Sequence, residues 1–386
     1  MRAGIVYGVR YRTWLADEGY VSISLSISTI CMLFCCSQKV NNTLLNANRY
    51  GHLATKAAEE ENDLLNVFLF CGFCNRKSIA FTLVALALLV GVLGANASYA
   101  AGTRAGTSFT FRTLDDQADP TFNQLLGIND RGVIAGYFGS GLAGHPNKGY
   151  TLSPPYGQGN YTNENFPNSV QTQVTAINNI GTTAGFWIDA NGNNFGFIKS
   201  FGRFTSYTNP NTDGGTVNQL LGINDEGIAV GFYTDANGIN HAYKLNSHTG
   251  QFTAIVPPGG SNATAAGIND EGDVVGFLTL TNGTIAGFLL KGTTFTEFDF
   301  PNSTNTTALG VNVLDQIVGV YVDSAGKMHG FLLSTLLRQP HFQSIDDPNG
   351  VGTTTINGLN DKDDLVGFYV DSAGNTDGFL ANRSRI

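Results

Sequence analysis

Beyond residue 74 the chain contains no cysteine; all five, Cys31, Cys35, Cys36, Cys71 and Cys74, lie near the N-terminus. The remaining 312 residues therefore use no disulfide, no cysteine-ligated metal and no thiol nucleophile. Charge is also scarce, at 13% of residues, and residues 101–386 hold 13 Lys and Arg against 24 Asp and Glu, a net of −11. Without a basic stripe, nucleic acid and anionic membrane surfaces are excluded as expected partners, and the acidity itself serves solubility. No Gly-x-Ser-x-Gly elbow and no phosphate-binding glycine loop occurs after residue 100. Stability must then come from a large apolar core, and what is abundant is glycine, 48 residues of it.

Before that region, Arg76-Lys77-Ser78 leads into an apolar run from Ile79 to Gly94, then Ala-Asn-Ala-Ser-Tyr-Ala up to Ala100. A basic start, an apolar centre and small residues at −3 and −1 (Ser98 and Ala100) make 76–100 a signal peptide, with cleavage after Ala97 as the alternative. The run is 16 residues, between a signal core and a membrane span, so an uncleaved anchor is the second reading and the sole expected contact with a membrane. Either way Arg76 and Lys77 stay inside and residues 101–386 go outside: secreted, periplasmic or at the cell surface. Residues 1–75 are unusual as a leader, since signal peptides begin their proteins. Our hypothesis is a start assigned too far upstream, with translation beginning near Leu64–Val67; the rival is a genuine extension with its own apolar stretch, Val21–Cys36. Recovery of peptides from residues 1–60 of the native precursor would rule out the late start.

In the exported part, (Gly/Ala)-(Ile/Val/Leu)-Asn recurs six times, at Asn129, Asn178, Asn224, Asn269, Asn312 and Asn360, in steps of 49, 46, 45, 43 and 48 residues. A period of roughly 40–50 residues with strand-like content is the signature of a β-propeller. In the third unit, Asn224-Asp225-Glu226-Gly227 is a turn, followed by strands over 228–234, 239–245 and 252–255 and preceded by a short fourth. Three residues after the Asn stand Gly132, Gly181, Gly227 and Gly272, then Asp315 and Asp363, residue types that tolerate the left-handed backbone such a turn needs. Strands such as Asp273–Leu278 are apolar on both faces, which suits a blade packed between two others. Seven residues after each Asn stands a glycine (Gly136, Gly185, Gly231, Gly276, Gly319, Gly367), marking close approach of a backbone or a ring. The last unit lacks an outer strand, and a spare copy stands at Phe109–Leu114. The prediction is an all-β, monomeric, six-bladed propeller of four antiparallel strands per blade, with the N-terminal strand closing the sixth.

The pattern GINDxGxxVGFYxDxxGxxHGFL resembles the HAF-type extracellular repeat, whose triplet stands here as His241-Ala242-Tyr243 and His329-Gly330-Phe331. The resemblance covers about 108–381 and implies an exported bacterial protein with a propeller fold; it brings no established activity, ligand or catalytic residue. Many such proteins carry a C-terminal sorting segment, for which Asn382–Ile386 offers no apolar tail.

Several columns of the repeat are chemically suggestive. Six amides could ring a channel, but an Asn that starts a turn and bonds its own following backbone explains the column without a ligand. The triplet histidine position reads Lys148, Phe195, His241, Ala286, His329 and Asp377, too few imidazoles for a metal ring, so the two are expected to be surface histidines. Asp189–Asn194 and Asp235–Asn240 resemble the opening of calcium loops but lack the further carboxylates and bidentate Glu, so hairpin turns are expected, with calcium the lesser alternative; Asn360–Asp364 likewise reads as a solvated turn. Phe138, Trp187, Tyr233, Tyr321 and Tyr369 share a column with Leu278 that reads first as core; Trp187, the single Trp after residue 100, is the candidate for stacking on a sugar. The pairs Asp115-Asp116 and Asp346-Asp347 end the outer-strand motif and read as repeat features rather than a hydrolytic dyad. Loops at 209–216, 257–263, 301–307 and 348–353 form the variable surface. The expected function is an exported binding module for a glycan or surface protein. The alternatives are a carbohydrate-active lyase or hydrolase, and a structural surface protein. Non-repeating acids and aromatics over a channel mouth would favour the enzyme; a mouth lined by repeat residues would favour binding or scaffolding.

Overall fold

The computed structural model describes residues 108–212, 216–258, 261–335 and 340–384. The chain divides between Gly102 and Thr103 into two units, and every described residue belongs to the second. The signal or anchor segment at 76–100 and the extension at 1–75 lie outside the described residues. Among those described, no helix is long and apolar enough to cross a membrane.

Six four-stranded antiparallel sheets follow one another along the chain. Blade 1 runs Asn123–Ile128, Ile134–Phe138, Lys148–Leu152 and Tyr161–Asn163; blade 2 runs Gln171–Ile177, Thr183–Ile188, Asn194–Ser200 and Arg203–Tyr207. Blades 3, 4 and 5 repeat this arrangement from Asn218, Ser261 and Asn305. Blade 6 supplies only Thr355–Leu359, Leu365–Val370 and Thr376–Arg383 from its own segment; its outer strand is Phe109–Thr113, paired from Phe109↔Arg383 to Thr113↔Phe379. The two ends of the propeller segment are thus joined by a ladder, with Phe109 and Phe111 packed on the blade-6 core. Closure gives blade 6 the same four strands as the other blades, so each sheet keeps only short edges shielded by its neighbours.

The first strand of each blade touches the first strands of both neighbours, so six of them surround the axis. All six share a β-bulge at the same place, such as Leu125/Gly127, Leu220/Gly222 and Ile356/Gly358, and blade 4 has a second at Ser261/Ala263. The bulge drives a carbonyl into the second strand, and there only glycine fits. A Cβ on Gly276 would lie 2.0 Å from the Thr264 carbonyl oxygen and 2.7 Å from the Phe288 ring. The glycine column predicted to mark close approach does so through a backbone and a ring together. The turn prediction also holds: φ is +72° at Gly227, +53° at Asp315 and +65° at Asp363.

Candidate functional site

Two places in the ring have functional potential, one repeated six times and one found in blade 1.

The repeated place is the channel mouth formed by the turns between first and second strands. Asn129, Asn178, Asn224, Asn269, Asn312 and Asn360 are all at most 5% exposed. As expected, each Oδ1 accepts from its own turn, for example from Ile228 N at 2.9 Å on Asn224 and from Asp273 N at 2.9 Å on Asn269. The other arm was not foreseen. Each Nδ2 donates to the carbonyl of the Asn in the next blade, at 2.9 Å from Asn129 to Asn178 and from Asn178 to Asn224. The bonds continue at 3.1 Å through Asn224, Asn269 and Asn312, and Asn360 closes the circle on Asn129 at 3.1 Å. Only an amide can do both, since the turn needs an acceptor and the neighbour needs a donor.

A second ring lies on the residues one position later: Asp130, Asn179, Asp225, Asp270, Val313 and Asp361. Asn179 takes the backbone N–H of Asp130, Asp225 that of Asn179, Asp270 that of Asp225, Asp361 that of Val313 and Asp130 that of Asp361, at 2.7–3.1 Å. Val313 breaks the ring, having no oxygen to offer the Asp270 N–H. Burial raises the carboxyl pKa of Asp270 and of Asp361, and repulsion from the other aspartates of the ring adds to it. The depression they enclose is only about 80 Å³, lined wholly by repeat positions. Small-molecule sites run to roughly 300–1,000 Å³, so the mouth is too small to enclose a sugar.

The asymmetric place lies at the other end of the strands, just after each outer strand. One position there is anchored alike in five blades: its backbone N–H donates to a side-chain oxygen at the start of the next first strand. The pairs are Asp116 to Asn123, Phe166 to Thr172, Asn209 to Asn218, Phe300 to Thr306 and Asp347 to Thr354, at 2.9–3.1 Å. In blade 4 the position is Pro257, which has no N–H, and the partner position is Ala263.

This position and the loop after it together decide whether the blade is filled. Phe166 lies flat on Trp187, with centroids 4.5 Å apart and planes 2° apart, and Phe300 lies likewise on Tyr321 at 3.6 Å and 2°. Each also meets an outer-strand ring edge-on, Phe204 or Phe342, at 5.4 Å. In blade 6 Asp347 is buried and the loop closes over Tyr369, whose Cβ would be 2.2 Å from a Cβ on Gly350. Blade 1 has the same platform, with Phe138 in the place of Trp187 and Tyr161 in that of Phe204, but Asp116 replaces the covering ring. The result is a cavity of about 480 Å³ lined by Asp116, Phe138, Lys148, Tyr150, Tyr161, Asn163 and Asn165, among others. Asp116 Oδ1 takes the Ala118 N–H at 2.9 Å, and Asn163 and Asn165 use their oxygens on the N–H groups of Asn165 and Gly149. Among the described residues, the second Asp116 oxygen, both amide NH2 groups and the Lys148 ammonium make no hydrogen bond. Next to Asp116, burial pushes the Asp115 carboxyl up to about 6, against the Gly378 N–H it accepts and with the repulsion of Asp377 and Asp371 added.

The sequence-predicted residues are not brought together. Trp187 is sandwiched between Phe166 and Phe195, the latter at 4.7 Å, and its indole N–H donates to Ser206 Oγ at 3.0 Å. Both ring faces are covered, so only the ring edge is left to meet a ligand. His241 and His329 stand in different blades. Contrary to expectation His329 is not a surface residue: its side chain is 14% exposed, stacked on Tyr321 and held between Asp346 at 2.8 Å and Asp323 at 3.4 Å. The calcium-like stretches have hairpin geometry. Asp189 Oδ1 accepts from Asn191 N and Asn193 N, and these and related bonds lower its pKa; Asp235 and Asp371 do the same in their turns. Glu271, Asp273 and Asp315 come close enough for a cation, but the Lys291 ammonium already sits 2.9 Å from Asp273 and 2.8 Å from Asp315.

No family model matches this chain, and no curated protein does. Similar folds occur among solved structures. A fucose-specific lectin from Aleuria aurantia is 12% identical, covering 67% of this chain and 91% of its own, with a TM-score of 0.46. TolB from Acinetobacter baumannii is 9% identical over 69% of this chain and 66% of its own, at 0.45. A gluconolactonase from Xanthomonas campestris is 12% identical over 72% and 90%, at 0.44. At such values no ligand or activity carries across, and the propeller assignment rests on the strand pairing above.

Proposed function

We propose that this chain is an exported binding module, a rigid monomeric ring of the HAF-type repeat class that presents a recognition site for a glycan or a surface protein. One observation carries the binding reading. The mouth where carboxylates from several blades meet is built from repeat positions already engaged in holding the ring, while the aromatic platform of blade 1 is left open. Symmetric positions are used up by the fold; the open site lies where the symmetry fails. Export rests on the basic, apolar and small-residue pattern of 76–100.

The test is a glycan array and polysaccharide pull-down with the purified protein, with and without calcium, alongside capture of surface proteins. Specific retention of either class supports a binding module. A folded sample that retains neither abandons it for the structural role. Trp187→Ala belongs in the same series, because loss of binding there would move the site to blade 2.

A second reading, a carbohydrate-active lyase or hydrolase, has one observation in its favour. Asp115, with its raised pKa, is suited to holding a proton near neutrality and adjoins the blade-1 cavity. Turnover of a bound oligosaccharide, abolished by Asp115→Asn, would establish it; binding without turnover would dismiss it.

A further inference from the structure

We propose that the blade-1 cavity is a saccharide site in which one pyranose ring occupies the slot that Phe166 fills in blade 2 and Phe300 fills in blade 5. This rests on the binding-module reading and names its ligand class and its place.

The shape argument comes from the molecule's own repeats. The same anchored backbone position delivers a six-membered ring flat onto the platform in blades 2 and 5. In blade 1 the anchor is kept and the platform is kept, but the ring is withheld. An outer-strand aromatic bounds each slot, Phe204, Phe342 or Tyr161, and Tyr161 also meets Tyr150 edge-on at 4.9 Å. The space is thus flat, ring-sized at its base and open to solvent above.

The chemistry of the rim selects among rings. A wholly apolar ring would strip water from the Asp116 carboxylate without replacing its hydrogen bonds, which is unfavourable. An anion would meet Asp116, and a cation would meet Lys148. A neutral polyhydroxylated ring satisfies both, offering a C–H face to Phe138, hydroxyl donors to Asp116, and oxygen acceptors to Lys148 and the amides of Asn163 and Asn165. Donors and acceptors on the rim are balanced, as they are on a sugar. The about 480 Å³ available exceeds one such ring, so a longer chain would continue out of the cavity.

Asp116→Phe is the informative change, because it rebuilds the blade-2 arrangement instead of damaging blade 1. Saccharide binding by the full chain is titrated calorimetrically and melting is followed in parallel. The expected result is a loss of binding of at least ~50-fold, with a melting temperature equal to or above the wild type. Asp116→Ala introduces no bulk and should lose roughly 10-fold, the scale of one charge-assisted hydrogen bond, so the proposal stays testable if the Phe variant folds poorly. A wild-type protein that binds a saccharide while both variants bind it equally well overturns the slot but leaves the binding module intact. A wild-type protein that binds a surface protein and no saccharide overturns the ligand class. Failure to bind anything takes the binding module down as well.

Discussion

The channel mouth and the aromatic slots use the same six-fold repeat in opposite ways. At the mouth every blade contributes the same amide, and each amide is fully engaged, one arm in its own turn and one in the next blade. At the slots the backbone anchor repeats in five blades but the side chain varies: Asp, Phe, Asn, Pro, Phe and Asp in turn. A ring closes only if each blade does the same thing as its neighbour, so closure enforces symmetry. Recognition of an asymmetric ligand needs one blade to differ. The comparison teaches where to look in such a ring: at columns whose backbone repeats and whose chemistry does not.

The comparison can be broken most severely at closure. Removing residues 108–114 deprives blade 6 of its outer strand and of the packed Phe109 and Phe111. The melting temperature should fall by more than ~10 °C in differential scanning calorimetry, and an unchanged melt would mean the ladder does not hold the ring. Opening a filled slot comes next. Phe166→Ala should lower the melt by about 5–10 °C, from a large-to-small loss of roughly 2–4 kcal/mol. Asn224→Ala interrupts the amide circle and removes two hydrogen bonds, leaving the Ile228 N–H without its acceptor, at about 2–3 kcal/mol and ~4–8 °C; a neutral effect would make the circle ornamental.

Acid titration sharpens the blade-6/blade-1 seam. The Asp115 carboxyl titrates at about 6 when folded against 3.8 as a free group, so between those values the folded state binds the extra proton. Stability should therefore fall as pH rises from about 4 to 6, and Asp115→Asn should reduce that slope in pH-dependent melts, the other raised carboxyls such as Asp270 and Asp361 keeping the remainder. The opposite trend, from Asp235 held low at about 2 chiefly by its bond to His241, acts below pH 4 and does not mask it. The smallest expected effect repairs the second ring. Val313→Asn supplies the oxygen that Asp270 N–H lacks and should raise the melt by ~1–3 °C. Val313→Asp should gain less at neutral pH, because it adds a fifth carboxylate to the mouth.

Much of this molecule was legible before any coordinates. The blade count, the strand assignments, the left-handed turn positions at Gly132 through Asp363 and the strand borrowed from Phe109–Thr113 all follow from spacing and local backbone chemistry. Each is a local preference repeated six times, and repetition turns a weak signal into a strong one. The site was far less legible. Trp187 drew attention as the single Trp of its region, yet its faces are covered by residues 21 positions before and 8 after it, Phe166 and Phe195. Phe138 drew less attention, although aligning the residues after each outer strand would have shown Asp116 standing where Phe166 and Phe300 do.

The amino-acid sequence by itself determined the ring: six units, four strands each, and the exchange of the first strand, because turns and strand periodicity depend on neighbours in the chain. Only the tertiary structure decided that the asparagine column reaches between blades and that the aromatic platform of blade 1 is left uncovered. Both depend on which side chain crosses the gap from a different blade or loop, and that is a matter of distance in space, which no single repeat encodes.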